Sequence, residues 1–198
     1  AYTFIVNGRK VYINGWNWVP MDALFGPERP EKLRRLLHLA RQAHVNLLRV
    51  WGGGLIEKDS FYELCDQYGI MIWQEFIQSS SGLDNTAPAE PEFINMLVRE
   101  AEQIIPGKRN PPALAVWCGG NELQAGAEQP LDDSHPTLAA LKETVQRLDP
   151  DRLWLATSPT GRVLGGGEAS SLPPPPPPPP PQPAIRAKRV SWRRSLFF

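Results

Sequence analysis

A glutamate follows a short apolar run near the middle of the chain, in a position suited to acid–base chemistry. Leu114 to Cys118 reads as a buried strand, and Gly119-Gly120-Asn121-Glu122 comes directly after it. The two glycines permit a tight turn that brings the carboxyl group over the end of the strand. Hydrolysis of a glycosidic bond requires a carboxylic acid that protonates the leaving oxygen, and desolvation would favour that protonated form. Glu122 is therefore a candidate catalytic acid, and the alternative is a solvated loop glutamate.

An arginine interrupts the apolar run from Val45 to Trp51, which reads as another buried strand. Because an unpaired guanidinium cannot be buried, Arg49 predicts an acidic partner. Glu75 follows Trp73-Gln74 at the end of the next predicted strand and is the favoured partner. Two alternatives stay open: Glu75 acts beside Glu122 as a second carboxylate, or Arg49 forms an ion pair that is only structural.

Indole rings recur close to the ends of the predicted strands. Such rings pack against the C–H faces of sugars, and their N–H groups donate to hydroxyls, although a single tryptophan is more often part of a core. Asn17 and Asp22 follow the first strand and would reach sugar hydroxyls. The sequence therefore predicts a carbohydrate-binding rim, with indoles from Trp16, Trp18, Trp51, Trp73 and Trp117.

One short segment superficially resembles a metal site. Asp132-Asp133-Ser134-His135 brings three ligand types together, but the residues are too local for a clear ligand geometry. We read it as a loop before a helix and expect neither a metal nor a cofactor. His38 and His44, on or just after the first helix, are expected to be structural.

Five short apolar strands, counted from Trp16, alternate with four helices along the chain. The helices are predicted over 30–43, 61–68 with Ser60 as cap, 91–105 and 137–148, and the last strand over 153–157. Because the strands are continuous apolar runs, they are expected to be buried on both faces of a parallel sheet. A doubly wound sheet and a partial barrel both fit. No glycine-rich nucleotide turn follows the first strand, which favours the barrel.

Four linked motifs resemble the barrel of family 2 glycoside hydrolases, especially the β-mannosidase and exo-glucosaminidase branch. They are 14–22 (NGWNWVPMD), 48–54 (LRVWGGG), 66–76 (DQYGIMIWQEF) and 117–122 (WCGGNE), within a resemblance that runs from about residue 2 to 164. One departure is Asn110-Pro111-Pro112, where the family usually has Asn-His-Pro.

The resemblance implies an α/β fold, a (β/α)₈ TIM barrel that is incomplete at about five βα units. It implies a retaining, exo-acting β-glycosidase such as a β-mannosidase, with a β-mannoside or related β-glycoside as substrate. Glu122 would be the acid/base, Asn121 would bind the substrate 2-hydroxyl, and Arg49 would bond the nucleophile. That nucleophile, a glutamate after the seventh strand, is expected to be absent. The other substrate-binding candidates are Trp16, Asn17, Asp22, Trp51, Trp73 and Glu75.

The resemblance and the composition together predict three regions. Residues 1–13 would end a preceding β-sandwich, with an Asn7-Gly8 hairpin turn, and 14–167 would form the barrel part. Residues 168–198, which include nine consecutive prolines, are expected to be a disordered, basic tail. The tail is either a ligand for proline-binding domains, which would make the chain an interaction protein, or the product of a reading-frame change that leaves an inactive fragment.

Charge and apolar content bear on partners and location. The 21 basic and 21 acidic residues balance, so we expect no nucleic-acid partner, and no apolar run is long enough to predict a membrane partner. The start at Ala1 has no leader-like pattern; this slightly favours the cytoplasm but leaves the location open. Cys65 and Cys118 are expected to be buried thiols, with a disulfide between them as the alternative.

Overall fold

A computed structural model describes residues 4–79, 85–125 and 129–158 of the 198-residue chain. The predicted proline-rich region 168–198 lies outside these ranges. Within them, no helix combines the length and apolar composition that crossing a bilayer would require.

The chain begins with a two-stranded antiparallel hairpin, β1 (Phe4–Val6) and β2 (Arg9–Val11). Its turn residues Asn7 and Gly8 both have positive φ, at 51° and 76°. This is the backbone that a two-residue hairpin turn demands, and Asn-Gly adopts it at little cost. The predicted hairpin is confirmed, and Phe4 from β1 packs against apolar residues of β6 and β7, two strands of the main sheet.

Five parallel strands form the main sheet in the order β3-β4-β5-β6-β7, which confirms the predicted order of a partial barrel. The strands are β3 (Gly15–Trp18), β4 (Leu47–Val50), β5 (Met71–Glu75), β6 (Leu114–Cys118) and β7 (Leu153–Leu155). The helices that connect them are α1 (Pro30–Gln42), α2 (Asp59–Tyr68), α3 (Pro91–Lys108) and α4 (Pro136–Leu148).

The main core lies between the sheet and the helices. Leu48 and Val50 of β4 face this core, and in α1 the predicted apolar face is buried through Leu33, Leu37 and Ala40. Because side chains alternate along a strand, every second strand residue points instead to the other face of the sheet. That inner face carries a smaller cluster of Val116, Cys118 and Leu155 and also the polar side chains described below.

Two local predictions at helix ends are wrong. The second helix begins at Asp59 and Ser60 lies inside it, so Ser60 is not its cap; the cap position is Lys58 and makes no side-chain hydrogen bond. The third helix continues past Ile105 to Lys108 with Pro106 inside it. Packing of this long helix on α4 and burial of Ile105 outweigh the hydrogen bond that a proline cannot donate.

Two leucines of helix α1 test which face is buried. Leu37 is fully buried, whereas Leu39 is 45% exposed on the same helix. Leu37→Ala should lower the free energy of unfolding by about 2–5 kcal/mol, because it leaves a cavity in the core. Leu39→Ala makes the same chemical change and should cost much less. Denaturant titration of both variants measures the difference, and equal losses would contradict this packing.

Candidate active site

The candidate polar residues meet where the parallel strands end. Arg49 is in β4, and Glu75 is the last residue of β5. The two side chains form a fork-to-fork pair, in which Arg49 Nε donates to Glu75 Oε1 at 2.9 Å and Arg49 Nη2 donates to Oε2 at 3.1 Å. Such bidentate pairs are charge-assisted and fix the orientation of both groups. The carboxyl ends of strands in α/β folds are where functional sites gather.

The guanidinium of Arg49 also donates to three neutral oxygens. They are Oδ1 of Asn17 at 3.0 Å, Oδ1 of Asn121 at 2.5 Å and Oγ of Ser158 at 2.7 Å. Asn17 belongs to β3, Asn121 follows β6, and Ser158 follows β7. With β4 and β5 supplying the ion pair itself, the cluster joins side chains that lie in three of the strands and just beyond the ends of the other two.

The carboxylate of Glu75 is fully buried and has no free face toward solvent. Besides Arg49, it accepts hydrogen bonds from the backbone N–H of Gly52 at 2.8 Å and from the hydroxyl of Ser158. A buried charge is tolerated when it is paired and its lone pairs are satisfied. Of the two sequence interpretations, this geometry favours Glu75 as the charge partner of Arg49 over a second reactive carboxylate.

The Cys118 thiol completes the surroundings of Glu75. Its Sγ lies 3.8 Å from Glu75 Oε1 and 3.6 Å from the carbonyl oxygen of Gly120. Burial, and then the negative charge of Glu75, raise the pKa of Cys118 to about 12, so the group is a neutral thiol near pH 7. Cys65 is also a free thiol, in the core on the helix side, so the disulfide alternative is wrong.

The turn after β6 carries Asn121 and Glu122 beside this cluster. Asn121 is 5% exposed, and its backbone N–H donates to the carbonyl oxygen of Gln78 at 2.8 Å. Glu122 has a φ of 51°, and its N–H donates to the carbonyl oxygen of Ser158 at 2.6 Å. Glu122 is exposed, so the described residues do not supply the desolvation that would favour its protonated form.

The role of Gly119 and Gly120 differs from the predicted one. Neither has positive φ; the left-handed residue of the turn is Glu122 itself. The glycines are needed for space instead. A Cβ at Gly119 would come within 2.3 Å of the Ala156 carbonyl oxygen, and one at Gly120 would come within 2.7 Å of the Gln78 side chain. The turn therefore packs closely against the residues that follow β5 and those that follow β7.

The structure does not gather the five indoles at one rim. Trp18 and Trp117 face the helices, where their N–H groups bond Glu57 and Asp149, each buried. Trp16 is paired with Leu48 and alternates with Asn17, which puts it on the helix side too and away from Arg49. The prediction of a five-indole rim is wrong, because strand alternation separates neighbouring residues onto opposite faces.

Trp51 and Trp73 are the two indoles that remain near the Arg49–Glu75 pair. Trp51 directly follows β4, and its ring lies against Gly53. A Cβ atom at Gly53 would come within 2.1 Å of the Trp51 ring. Trp73 is on the inner face of β5 and packs against the cluster of Val116, Cys118 and Leu155. The buried N–H of the Trp73 indole has no hydrogen-bond partner among the described residues.

Asp22 lies apart from the Arg49 cluster, in the loop after β3. It forms salt bridges with Arg29 at 2.6 Å and with Lys32 at 3.6 Å. A hydrogen bond from the Leu24 backbone N–H, followed by those two cations, lowers the pKa of Asp22. The structure thus gives this carboxylate a local role in shaping the loop and does not bring it to the other candidates.

Ser158, Gln78 and Ser79 are site residues that the sequence reasoning missed. Ser158 bonds both members of the ion pair, and Gln78 donates from Nε2 to the Gly119 carbonyl oxygen at 2.8 Å. Ser79 accepts from Nδ2 of Asn121 at 3.2 Å. The sequence signal that could have found them is their position, because all three follow the carboxyl end of a predicted strand.

The acidic side chains of the segment 132–135, before α4, form hydrogen bonds and a salt bridge with neighbouring residues. Asp132 accepts from Ser134, and Asp133 bonds both Lys142 and the Trp154 indole. In the ranges 4–79, 85–125 and 129–158, no three His, Cys, Asp or Glu residues are grouped as a metal site would require.

Sequence comparison decides the family. Residues 2–158 match the family described as "Glycosyl hydrolases family 2, TIM barrel domain". The chain belongs to glycoside hydrolase family 2. Its five parallel strands are therefore strands of the family 2 TIM barrel, and the inner face that carries Arg49 and Glu75 is the barrel interior.

Family 2 proteins similar to the chain include several β-mannosidases. It is 34% identical to "Beta-mannosidase" of Rattus norvegicus over 176 residues, which is 82% of this chain and 20% of the relative. "Beta-mannosidase B" of Emericella nidulans is 35% identical over 129 residues, 65% of this chain and 15% of the relative. The solved "Beta-D-Mannosidase from Dictyoglomus thermophilum" is 36% identical with a TM-score of 0.72, over 81% of this chain and 20% of that one. The chain thus spans between 15% and 20% of the length of these relatives.

Removing the charge from Arg49 tests how strongly the family 2 barrel depends on the buried pair. Arg49→Met leaves the Glu75 carboxylate buried without its cation, and should lower the free energy of unfolding by about 3–5 kcal/mol. Arg147 pairs with Glu102 on the surface, with side chains 52% and 43% exposed. The matched change Arg147→Met should cost less than about 1 kcal/mol. Denaturant titration would contradict the account if the two losses were alike.

Proposed function

We propose that the Arg49 cluster and Glu122 form the acid/base side of the active site of a retaining, exo-acting β-glycosidase that hydrolyses β-mannosides. The observation that carries the proposal is that Asn121 and Glu122 lie in the turn after β6, at the carboxyl end of the barrel strands, where the Asn121 amide oxygen accepts a hydrogen bond from Arg49. The names of the similar proteins, which are β-mannosidases, support the substrate class.

Glu122 is proposed as the acid/base. In the first step of a retaining reaction its carboxylic acid protonates the glycosidic oxygen, so that the aglycone leaves as an alcohol. In the second step the resulting carboxylate takes a proton from the water that hydrolyses the glycosyl–enzyme intermediate. An exposed carboxyl group can reach both the leaving oxygen and water. A bound sugar would exclude water from the carboxyl group, and this desolvation would favour its acid form.

Asn121 is proposed to bind the 2-hydroxyl of the sugar. Its Oδ1 is held by Arg49 at 2.5 Å, so the orientation of the amide is set by a charged donor. The Nδ2 group, which contacts Ser79 at 3.2 Å, is then the donor available for a substrate oxygen. Hydrogen bonds to the 2-hydroxyl that strengthen in the transition state stabilise it selectively.

Arg49 and the inner tryptophans are proposed to complete the sugar site. Arg49 is expected to bond the nucleophilic carboxylate, which a retaining enzyme holds about 5–5.5 Å from the acid/base. We do not assign that carboxylate to Glu75, since Glu75 is already bound by Arg49, Gly52 and Ser158. Trp51 offers an aromatic platform, and Trp73 lies on the same inner face of the barrel as the Arg49–Glu75 pair.

Replacing Glu122 by Gln in the native protein tests the acid role. The variant should lose about 10²–10⁴-fold in turnover of unactivated β-mannosides, which is what a general acid contributes. Aryl β-mannosides with good leaving groups should lose much less in the glycosylation step, because they depart without protonation.

The matched control is Glu143→Gln, at an exposed glutamate of helix α4 far along the chain from the turn. It should leave the kinetics unchanged for both kinds of substrate. An equal loss for activated and unactivated substrates in the Glu122 variant would remove the acid role. Efficient turnover of a β-glucosaminide in place of the β-mannoside would overturn the proposed substrate.

A further inference from the structure

We propose that Thr157 is a positioning residue for Glu122, a role that rests on the acid function proposed above. Thr157 lies two residues beyond β7 and is fully buried. Its hydroxyl accepts a hydrogen bond from the backbone N–H of Leu123 at 2.8 Å and donates to the carbonyl oxygen of Gly120 at 3.2 Å. These two backbone groups flank Asn121 and Glu122, so one hydroxyl spans the turn that carries both residues.

The turn needs such a constraint because Glu122 has a φ of 51°. Residues other than glycine seldom occupy this left-handed region, and they stay there only where the surroundings hold them. Two backbone bonds to Ser158 also contribute, from Glu122 N–H to the Ser158 oxygen at 2.6 Å and from Ser158 N–H to the Gly120 oxygen at 3.2 Å. The Thr157 hydroxyl is the side-chain member of this set.

Loss of the hydroxyl would act on the turn directly. Leu123 is 2% exposed, so its N–H would be left buried without the acceptor that Thr157 provides. A rotation of the Glu122 backbone toward an ordinary φ would relieve this, and would redirect the Cα–Cβ bond that aims the carboxyl group. Thr157 thus acts through the conformation of Glu122.

Thr157→Val tests the proposal, because it removes the hydroxyl and keeps the shape of the side chain. In the native protein, kcat/KM for unactivated β-mannosides should fall about 10-fold or more, within the range that a general acid contributes. Activated aryl β-mannosides should be affected much less, and KM should change little. Thr157→Ser keeps the hydroxyl and should behave like the unmodified protein.

Thr144→Val is the matched control, since Thr144 is a 3% exposed threonine whose hydroxyl donates to the Ala140 carbonyl oxygen inside helix α4. Any kinetic loss it causes should be the same for both leaving groups. If Thr157→Val gives the same leaving-group-independent pattern as Thr144→Val, the positioning role is refuted. Adding Thr157→Val to Glu122→Gln should not change the leaving-group dependence further; an additive effect would also refute the role.

Two structural measurements do not depend on activity. A crystal structure of the Thr157→Val variant should show Glu122 outside the left-handed region, and an unchanged turn would overturn the inference. In the unmodified protein, hydrogen exchange at the Leu123 amide should be slow, because Thr157 accepts from it; fast exchange would overturn the inference even if the valine variant did not fold. If Thr157→Val alters the turn but Glu122→Gln does not affect catalysis, only the proposed acid function is refuted.

Discussion

The guanidinium of Arg49 lies against the fully buried carboxylate of Glu75, and each strand of the five-stranded sheet supplies a group at or near this pair. A carboxylate without solvent must have its charge and its lone pairs satisfied within the protein. Here that requirement is met by Arg49, by the Gly52 N–H and by the Ser158 hydroxyl. The ends of neighbouring strands must therefore stay in register, or the buried charge loses partners.

The buried ion pair also holds the residues that are proposed to bind and protonate the substrate. Arg49 holds the amide oxygen of Asn121, and Ser158 accepts the N–H of Glu122 through its carbonyl oxygen while its hydroxyl bonds Glu75. Glycines at 119 and 120 let this turn fit between the segments after β5 and β7. A buried ion pair, a close backbone approach and a left-handed glutamate are thus parts of one arrangement. The proposed chemistry depends on all three.

The order of strands and helices and the Arg49–Glu75 pair could be predicted from the sequence, because apolar runs and one arginine within them are strong signals. The contact between Arg49 and Asn121 was not predicted. The face on which each indole lies was missed. Alternation from Arg49 along β4, and through its register partner Asn17 in β3, would have put Trp16 and Trp18 on the helix side. Ser158 and Thr157 were missed for a different reason. Their roles come from packing between strand ends distant in sequence, and a hydroxyl after a short strand carries no motif.

A double-mutant cycle between Arg49 and Ser158 tests most directly whether the ion pair joins distant strand ends. Free energies of unfolding would be measured for Arg49→Gln, Ser158→Ala and the double variant, with Thr144→Val in place of Ser158→Ala as the uncoupled comparison. We predict a coupling energy of about 1 kcal/mol or more between Arg49 and Ser158, as for residues of one hydrogen-bond network, and none with Thr144. Additive losses for Arg49 and Ser158, within about 0.3 kcal/mol, would contradict the account.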